Sequence, residues 1–241
     1  MKNYNAILFS GAIVIAAILL GNAYLKRAQT NDVISVTGLG TKDFTSDLIV
    51  WEGTFTRENL NLQNAYADLN RDKDLVRQYL SSKDIDLNNV VFNSVNMQEK
   101  IRPRYDEGRY VGEEFEGYIL SQSIQIESKE VEKIERLSRE ITELLNQGVQ
   151  FYSYAPRYYY TQLADLKIEM IAKATEDAYI RAKQIAENAG GSLGRLKVAR
   201  MGVFQITGQN SNEDYSWGGV YNTESKQKTA SITMRLEYKI R

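Results

Sequence analysis

Two strands and a helix are predicted at the start of the polar part of the chain by the spacing of its apolar residues. Residues 33–40 alternate between apolar and polar and end in glycines, and residues 48–56 place Trp51 and Phe55 on one face. The apolar spacing then changes to steps of three and four residues, which predicts an amphipathic helix over residues 62–80.

A hairpin and a second helix are predicted next. The segments 90–101 and 115–128 each place apolar residues on one face, which indicates two further strands. Residues 102–114 carry Pro and Gly among charged residues, which is typical of a hairpin loop. A stripe of apolar residues then predicts a helix that Glu130 opens and Gly148 ends.

A tyrosine-rich strand precedes the longest predicted helix. Residues 150–160 are predicted to be extended, and Pro156 indicates an edge or a bulge because proline cannot donate a ladder hydrogen bond. The helix covers residues 163–189, with Thr161 as a suitable N-cap and Gly190 as a stop.

The C-terminal part completes a pattern of strand groups separated by helices. It is predicted as a strand at 193–207, a polar loop at 208–227 and a closing strand at 229–240 with regular alternation. This order predicts an α+β fold with an antiparallel or mixed sheet and helices packed on one face, rather than a doubly wound parallel sheet. We expect one domain over residues 33–241, because no Pro- or Ser-rich linker divides them.

The N-terminal segment is apolar from residue 6 to residue 20, apart from Ser10. A helix of about 20 residues rises roughly 30 Å, which is enough to span a bilayer. Two interpretations stay open, a retained transmembrane anchor and a secretory signal cleaved near residues 21–23. We favour an anchor over residues 1–27, with the domain outside the cytoplasm, in the periplasm; cleavage would make it an exported protein.

The composition excludes several kinds of chemistry. The chain has no histidine and no cysteine, which removes Ser-His-Asp and Cys-His catalysis, the usual zinc sites and disulfides. Its 30 basic and 31 acidic residues nearly cancel, and no basic cluster offers a face for nucleic acid. We therefore expect no enzyme activity, no cofactor, no metal and no nucleic acid, although carboxylate, lysine or tyrosine chemistry stays open.

An aromatic cluster is the best candidate for contact with a partner. Aromatic side chains and arginine are favoured at interfaces, and aromatic rings stack on sugars. About half of the residues in an alternating strand face the core, so core packing, a subunit interface and a ligand or glycan site all stay open. The candidates are Tyr152, Tyr154, Arg157, Tyr158, Tyr159 and Tyr160 in the strand, with Trp217 in the polar loop.

The long helix also carries a stripe of alanines four residues apart, which suits close packing against a neighbouring element or subunit. Further motifs follow one another along the chain: the I-x-V-x-G-x-G strand at 34–40, Gly117-Tyr118 with the alternation at 123–126, the helix, glycine and strand from Ile134 through Gly148 to Phe151, and Ala178, Ala182, Lys183, Ala186, Ala189-Gly190 and Leu193-Gly194. In this order they resemble the SIMPL-domain proteins over roughly residues 33–240. Ser46-Asp47 departs from the Pro-Asp that the family often has, and the loop at 208–227 is individual to this chain.

This resemblance implies a bacterial cell-envelope protein, exported or membrane-anchored, with an α+β fold. Some relatives form ring-like homo-oligomers and some are associated with tolerance of oxidative stress, and the family offers no agreed catalytic residues. Our first hypothesis is a non-enzymatic, membrane-anchored protein that self-associates and has a scaffold or envelope-stress role. The alternative is an exported binding module for an envelope glycan, lipid or secreted partner, which uses the tyrosines and Trp217.

Overall fold

The chain forms two antiparallel sheets, each with its own helices. The computed structural model describes residues 2–28 and 32–241, and places side chains over 9–24 and 32–241. The helices are α1 (Lys2–Ala28), α2 (Leu62–Ser82), α3 (Val131–Glu140, continued as a 3-10 helix over Ile141–Gln147) and α4 (Leu163–Asn188). The strands are β1 (Val33–Thr45), β2 (Leu48–Asn59), β3 (Val90–Phe92), β4 (Asn96–Asp106), β5 (Arg109–Ser128), β6 (Gln150–Ser153), β7 (Arg157–Tyr159), β8 (Leu193–Met201), β9 (Gln205–Gly208) and β10 (Gln227–Ile240).

The first sheet is built around the C-terminal strand. β10 pairs with β1 along one edge, and with β9 and then β8 along the other. Helix α4 covers one face of this sheet, where the alanine stripe packs against glycines of β1. A Cβ atom on Gly38 would lie 2.1 Å from the carbonyl oxygen of Ala174, so only glycine allows the helix to approach so closely. The prediction that the stripe serves close packing is confirmed, since its alanines are buried within the chain; they are Ala174, Ala178, Ala182 and Ala186.

The second sheet has the order β3-β5-β2-β6, with β4 added on β5 and β7 on β2. Its inner face carries Trp51 and Phe55, which are fully buried beneath α2 and α3. Most residues of the apolar stripes predicted for both helices face this core. The exceptions are exposed: Leu62 and Tyr66 in α2, and Leu145 in the 3-10 continuation. The helix ends at Gly148 with a left-handed φ of 79°, as predicted.

Polar contacts join the two sheets. The chain passes directly from β1 to β2, and the Ser46 amide donates to the carbonyl oxygen of Lys226 at 2.9 Å. The ammonium of Lys226 in turn lies 2.9 Å from the carboxylate of Glu135 and 3.3 Å from that of Glu132, both on α3. The segment before β10, which belongs to the first sheet, is thus tied to a helix of the second.

The predicted α+β class is confirmed, since all pairings between the named strands are antiparallel and each sheet carries its helices on one face. The prediction of a loop over residues 102–114 is wrong. β4 continues to Asp106 and β5 begins at Arg109, so the turn is confined to Glu107 and Gly108. Charged residues obscured these strands because this part of the hairpin extends beyond the core and is exposed on both faces.

Three strands predicted as continuous are interrupted. The segment 90–101 breaks at residues 93–95, where the Gln122 side chain donates to the Asn93 carbonyl oxygen at 2.7 Å. The segment 150–160 breaks around Pro156, and both of its pieces pair with β2. The segment 193–207 breaks at residues 202–204.

Thr161 is not the cap of α4. Gln162 occupies that position without a side-chain hydrogen bond. Thr161 instead donates from its amide and from its hydroxyl to the carboxylate of Asp47, both at 2.7 Å. The acidic residue in the turn between β1 and β2 therefore fixes the chain just before the long helix.

Helix α1 contains the apolar N-terminal segment. Its described side chains, residues 9–24, are all exposed. Among the residues that the structure describes, no helix meets the length and apolarity needed to cross a membrane. The predicted anchor falls partly on residues whose side chains lie outside the described ones, and it stays a prediction.

Candidate functional site

A two-stranded arm extends from the second sheet. We define it as residues 96–117; residues 96–99 still pair with the part of β5 that β2 joins, and from Lys100 to Gly117 only β4 and β5 pair. Gly117 lies at its base with a φ of 132°, and a Cβ atom there would come within 2.8 Å of the Asn59 carbonyl oxygen. The glycine therefore allows β5 to bend past the end of β2 as the arm begins.

One face of the arm is apolar and exposed. Ile101 pairs with Phe115 and Tyr105 pairs with Tyr110, and paired residues share a face of an antiparallel ribbon. The two tyrosine rings meet edge to face, with centroids 5.9 Å apart. The side chains of this face are between 45% and 63% exposed. We call the set the apolar stripe; it comprises Met97, Ile101, Tyr105, Tyr110 and Phe115.

The apolar stripe continues the core-facing side of the second sheet. Met97 pairs with Leu120, which is buried in the core beneath the helices. Four charged residues of the arm take part in ion pairs: Lys100, Arg102, Glu114 and Glu116. Arg102 lies 2.9 Å from the carboxylate of Glu116, and Lys100 lies 2.6 Å from that of Glu58. The arm is thus amphipathic: one face carries the apolar stripe, interrupted by the pair of Pro103 and Glu113, and no described element covers that face.

The polar loop before β10 is held in place at several points. The side chain of Gln205 on β9 accepts from the Val220 amide at 2.8 Å and donates to the Ser216 carbonyl oxygen at 2.7 Å. Beside it, the Ile206 amide donates to the Val220 carbonyl oxygen at 2.8 Å. Residues 216–222 therefore run along β9 as a ribbon. We call residues 209–226 the aromatic loop, because it presents Tyr215, Trp217 and Tyr221.

A buried lysine closes the other end of this loop. The ammonium of Lys228 is fully buried and donates to the backbone carbonyl oxygens of Asn222, at 2.7 Å, and of Ser225. Glu213 accepts from the Gly208 amide at 3.0 Å and from the Asn222 side chain. Desolvation lowers the pKa of Lys228 from 10.5 to about 8, and the charge of Glu213 opposes that shift. The lysine acts here as a hydrogen-bond donor that fixes the loop.

Trp217 is 99% exposed, whereas Trp51 is fully buried. Trp217 lies at a groove of about 510 Å³ on the first sheet, on the face opposite α4. None of the residues lining this groove is charged. They are Leu39, Gly202, Val203, Gln205, Tyr215, Ser216, Trp217, Ser231, Ile232 and Thr233.

The structure does not bring the seven predicted contact residues together. Tyr158 is 8% exposed and belongs to the core of the second sheet, so it is not available to a partner. Its burial raises its pKa above the usual value. Tyr160 packs on Phe44 with ring centroids 4.7 Å apart, and Tyr159 contacts Tyr221.

Tyr152 and Tyr154 are the tyrosines of this cluster that stay exposed, at 56% and 54%. The guanidinium of Arg157 forms an ion pair with the carboxylate of Glu52, with a nitrogen–oxygen distance of 2.5 Å. Trp217 lies at a different surface, the groove on the first sheet. The cluster is therefore divided between the core, the seam between the sheets and the exposed face.

Sequence reasoning missed the apolar stripe and the role of Lys228. The stripe had a signal, because Met97, Ile101 and Tyr105 recur at four-residue steps, which an extended strand places on one face. Lys228 had none, since a single lysine at the start of an alternating strand is ordinarily exposed.

No group of three or more acidic side chains in the described part of the chain is arranged to hold a metal ion. The acids of the arm illustrate the reason. Glu113 pairs across the ribbon with Pro103, whereas Glu114 pairs with Arg102 and points to the other face. The expectation of no metal, cofactor or catalytic site stays a prediction.

A known family covers most of the chain. The family described as SIMPL, a protein family of unknown function (DUF541), matches residues 34–238. The chain therefore belongs to the SIMPL family, as its helix and strand motifs indicated. A comparison with curated proteins finds no match.

Proposed function

We propose that this protein is a non-enzymatic, membrane-attached protein of the cell envelope whose copies associate through the arm. The observation that carries this proposal is the apolar stripe. A two-stranded hairpin is at best marginally stable by itself in water, and an exposed apolar patch with polar neighbours marks an interaction surface. Packing the stripe against a partner removes its side chains from water and supports the arm.

A second copy of this chain is the partner that we propose for the apolar stripe. The arm contains four basic and six acidic residues, a net charge of 4 − 6 = −2. This balance disfavours an anionic lipid surface or a nucleic acid. Two identical apolar stripes are complementary to each other in a two-fold contact, and a stripe that packs on a different surface of the next copy closes into a ring if the rotation permits.

Attachment to a membrane supports this assembly. The membrane attachment is proposed from the apolar run at residues 6–20. The described side chains of α1 are exposed rather than packed on the domain. Copies confined to one surface meet at a raised effective concentration, so a modest contact suffices. The domain lies outside the cytoplasm in this proposal.

The mass of the full chain in mild detergent tests the proposal. Native mass spectrometry is expected to give a multimer whose subunits retain residues 1–27. The double variant Ile101→Ser/Phe115→Ser is expected to lower the multimer mass. Its matched control is Tyr152→Ser/Tyr154→Ser, which also removes two exposed aromatic or apolar side chains but outside the arm, and which is expected to leave the mass unchanged.

Two results would contradict the proposal. A monomeric wild-type protein would contradict self-association. An arm variant whose multimer mass is unchanged would show that the arm is not the site of association. Circular dichroism checks that each variant is folded, because substitutions at exposed positions are expected to change the free energy of unfolding by about 0.5 kcal/mol or less. Subunits that lack the N-terminal segment would show that the membrane attachment is wrong while leaving the arm contact open.

A further inference from the structure

The groove beside Trp217 has the composition of a binding site for a neutral sugar. Aromatic rings at such sites stack on the apolar faces of sugar rings, and hydroxyl and amide groups bind the sugar hydroxyls. Here Tyr215 and Trp217 supply the rings, and Ser231 and Thr233 supply hydroxyls. The volume of about 510 Å³ lies within the range of ligand sites.

The polar groups of the groove retain hydrogen-bonding capacity. Each atom of the Gln205 amide uses one bond to hold the aromatic loop, which leaves a second N–H and a second lone pair. No hydrogen bond within the described part of the chain occupies the hydroxyls of Ser231 and Thr233. Ser231 is only 5% exposed, so its hydroxyl lies at the floor of the groove.

The aromatic loop is fixed before any ligand arrives. Gln205 and the buried ammonium of Lys228 hold it at two separate points, yet Trp217 remains 99% exposed at its tip. When a ligand covers an indole that a well-ordered loop leaves in water, the free energy of the system falls. Because the loop is already ordered, binding does not have to meet the entropic cost of ordering it.

We propose that this groove binds a neutral oligosaccharide, with Trp217 as the stacking platform. The absence of charged residues from its lining distinguishes this ligand from an anionic glycan or a phosphate-bearing lipid headgroup. The hydroxyl and amide groups distinguish it from an acyl chain, which offers them no partner. This site is separate from the arm and does not depend on the proposed self-association.

The two tryptophans give a direct readout. Trp51 is fully buried, so an aqueous quencher such as iodide reaches Trp217 and not Trp51. Full-length protein is titrated with chitohexaose and with cellohexaose in a detergent whose headgroup is not a sugar, since a maltoside would compete. At least one of the two is expected to protect Trp217 from iodide, with a Kd on the order of 0.1–1 mM, typical of a shallow site.

Calorimetry of variants assigns the binding to the groove. Trp217→Ala is expected to weaken it at least about tenfold, and Thr233→Val by a smaller factor because it removes a hydroxyl and keeps the shape. Tyr152→Ala is the matched control, an exposed aromatic residue on the other sheet, and is expected to bind like the wild type. Since Trp217 packs on little else, its replacement leaves the fold intact.

Three outcomes would overturn the proposal. The first is no protection by either hexasaccharide. The second is binding that Trp217→Ala leaves unchanged. The third is protection by sodium dodecanoate or by raised protein concentration alone, which would assign the groove to an acyl chain or to a second copy. None of these outcomes affects the mass measurement that tests the arm.

Discussion

A methyl group added at Gly38 tests how the long helix is held on the first sheet. The Cβ atom of Gly38→Ala would lie 2.1 Å from the carbonyl oxygen of Ala174, 2.5 Å from the amide nitrogen of Ala178 and 2.7 Å from its Cβ atom. These atoms are helix backbone and the methyl group next to it, so no side chain can rotate away. Helix α4 must therefore shift by about 1.4 Å or more to restore ordinary contact distances.

The shift affects a whole row of contacts. The alanines on the buried face of α4 have no flexible side chains to refill the space. Neighbouring Gly40 is also too close to the helix backbone to accept a Cβ atom. Overpacking of a well-packed core costs typically 1–3 kcal/mol, and a rigid backbone contact belongs at the upper end. We expect Gly38→Ala to lower the free energy of unfolding by about 3 kcal/mol.

Urea unfolding followed by circular dichroism measures this change, with Gly218→Ala as the matched control. A Cβ atom on Gly218 has Ser216 Oγ as its nearest neighbour at 3.9 Å, so this change is expected to be neutral. Fluorescence of the buried Trp51, which lies in the core of the second sheet, reports whether both sheets unfold together. A Gly38→Ala protein as stable as the wild type would refute the close helix–sheet contact.

Two further predictions concern buried charges. Arg57→Met leaves the buried carboxylate of Asp72 without the guanidinium that binds it at 2.5 and 2.6 Å, and the expected loss is about 3–5 kcal/mol in urea unfolding; Arg71→Met, which removes an exposed ion pair, should change stability by less than about 1 kcal/mol. Folding lowers the pKa of Lys228 from 10.5 to about 8. The unfolded chain therefore binds the proton of this lysine more tightly than the folded chain does. As the pH rises through and above 8, the contribution of Lys228 to the free energy of unfolding increases. Unfolding measured between pH 7.5 and 9 should show a smaller rise for Lys228→Met than for the wild type; equal slopes would contradict the assignment.

The elements that the sequence predicted best are those with one face in a core. In β10 the residues from Ala230 to Tyr238 alternate because α4 covers one side, and that alternation appears directly as an apolar period of two. The alanine stripe of α4 and the buried face of β2 were predicted for the same reason. Burial on one side imposes the pattern, and the pattern identifies the strand.

The arm was mispredicted because it lacks that constraint. Residues 102–114 are exposed on both faces, so charged residues occur in positions that would be apolar in a core strand. The division into two sheets was also not predicted, since it depends on which strands pair at long range: β1 with β10, and β2 with β5. Local periodicity does not contain that information.

The tyrosine strand shows a third limit. Alternation predicts that half of its residues face inward, but Pro156 interrupts the strand, so a single alternation does not run through residues 150–160. Phe151 and Tyr158 both end in the core although one residue number is odd and the other even. Composition alone therefore selected seven residues that the fold distributes over separate surfaces.

The arm and the groove together predict how binding should depend on assembly. They lie on different sheets, so a change in one is not expected to alter the intrinsic affinity of the other. The monomeric form of Ile101→Ser/Phe115→Ser should therefore bind a soluble hexasaccharide with the wild-type Kd. On an insoluble polymer of the same sugar, a multimer engages several grooves at once and gains about 10²-fold or more in retention. The arm variant should lose that gain in a sedimentation assay with the polymer; equal retention of both proteins would show that the grooves of one multimer do not act together.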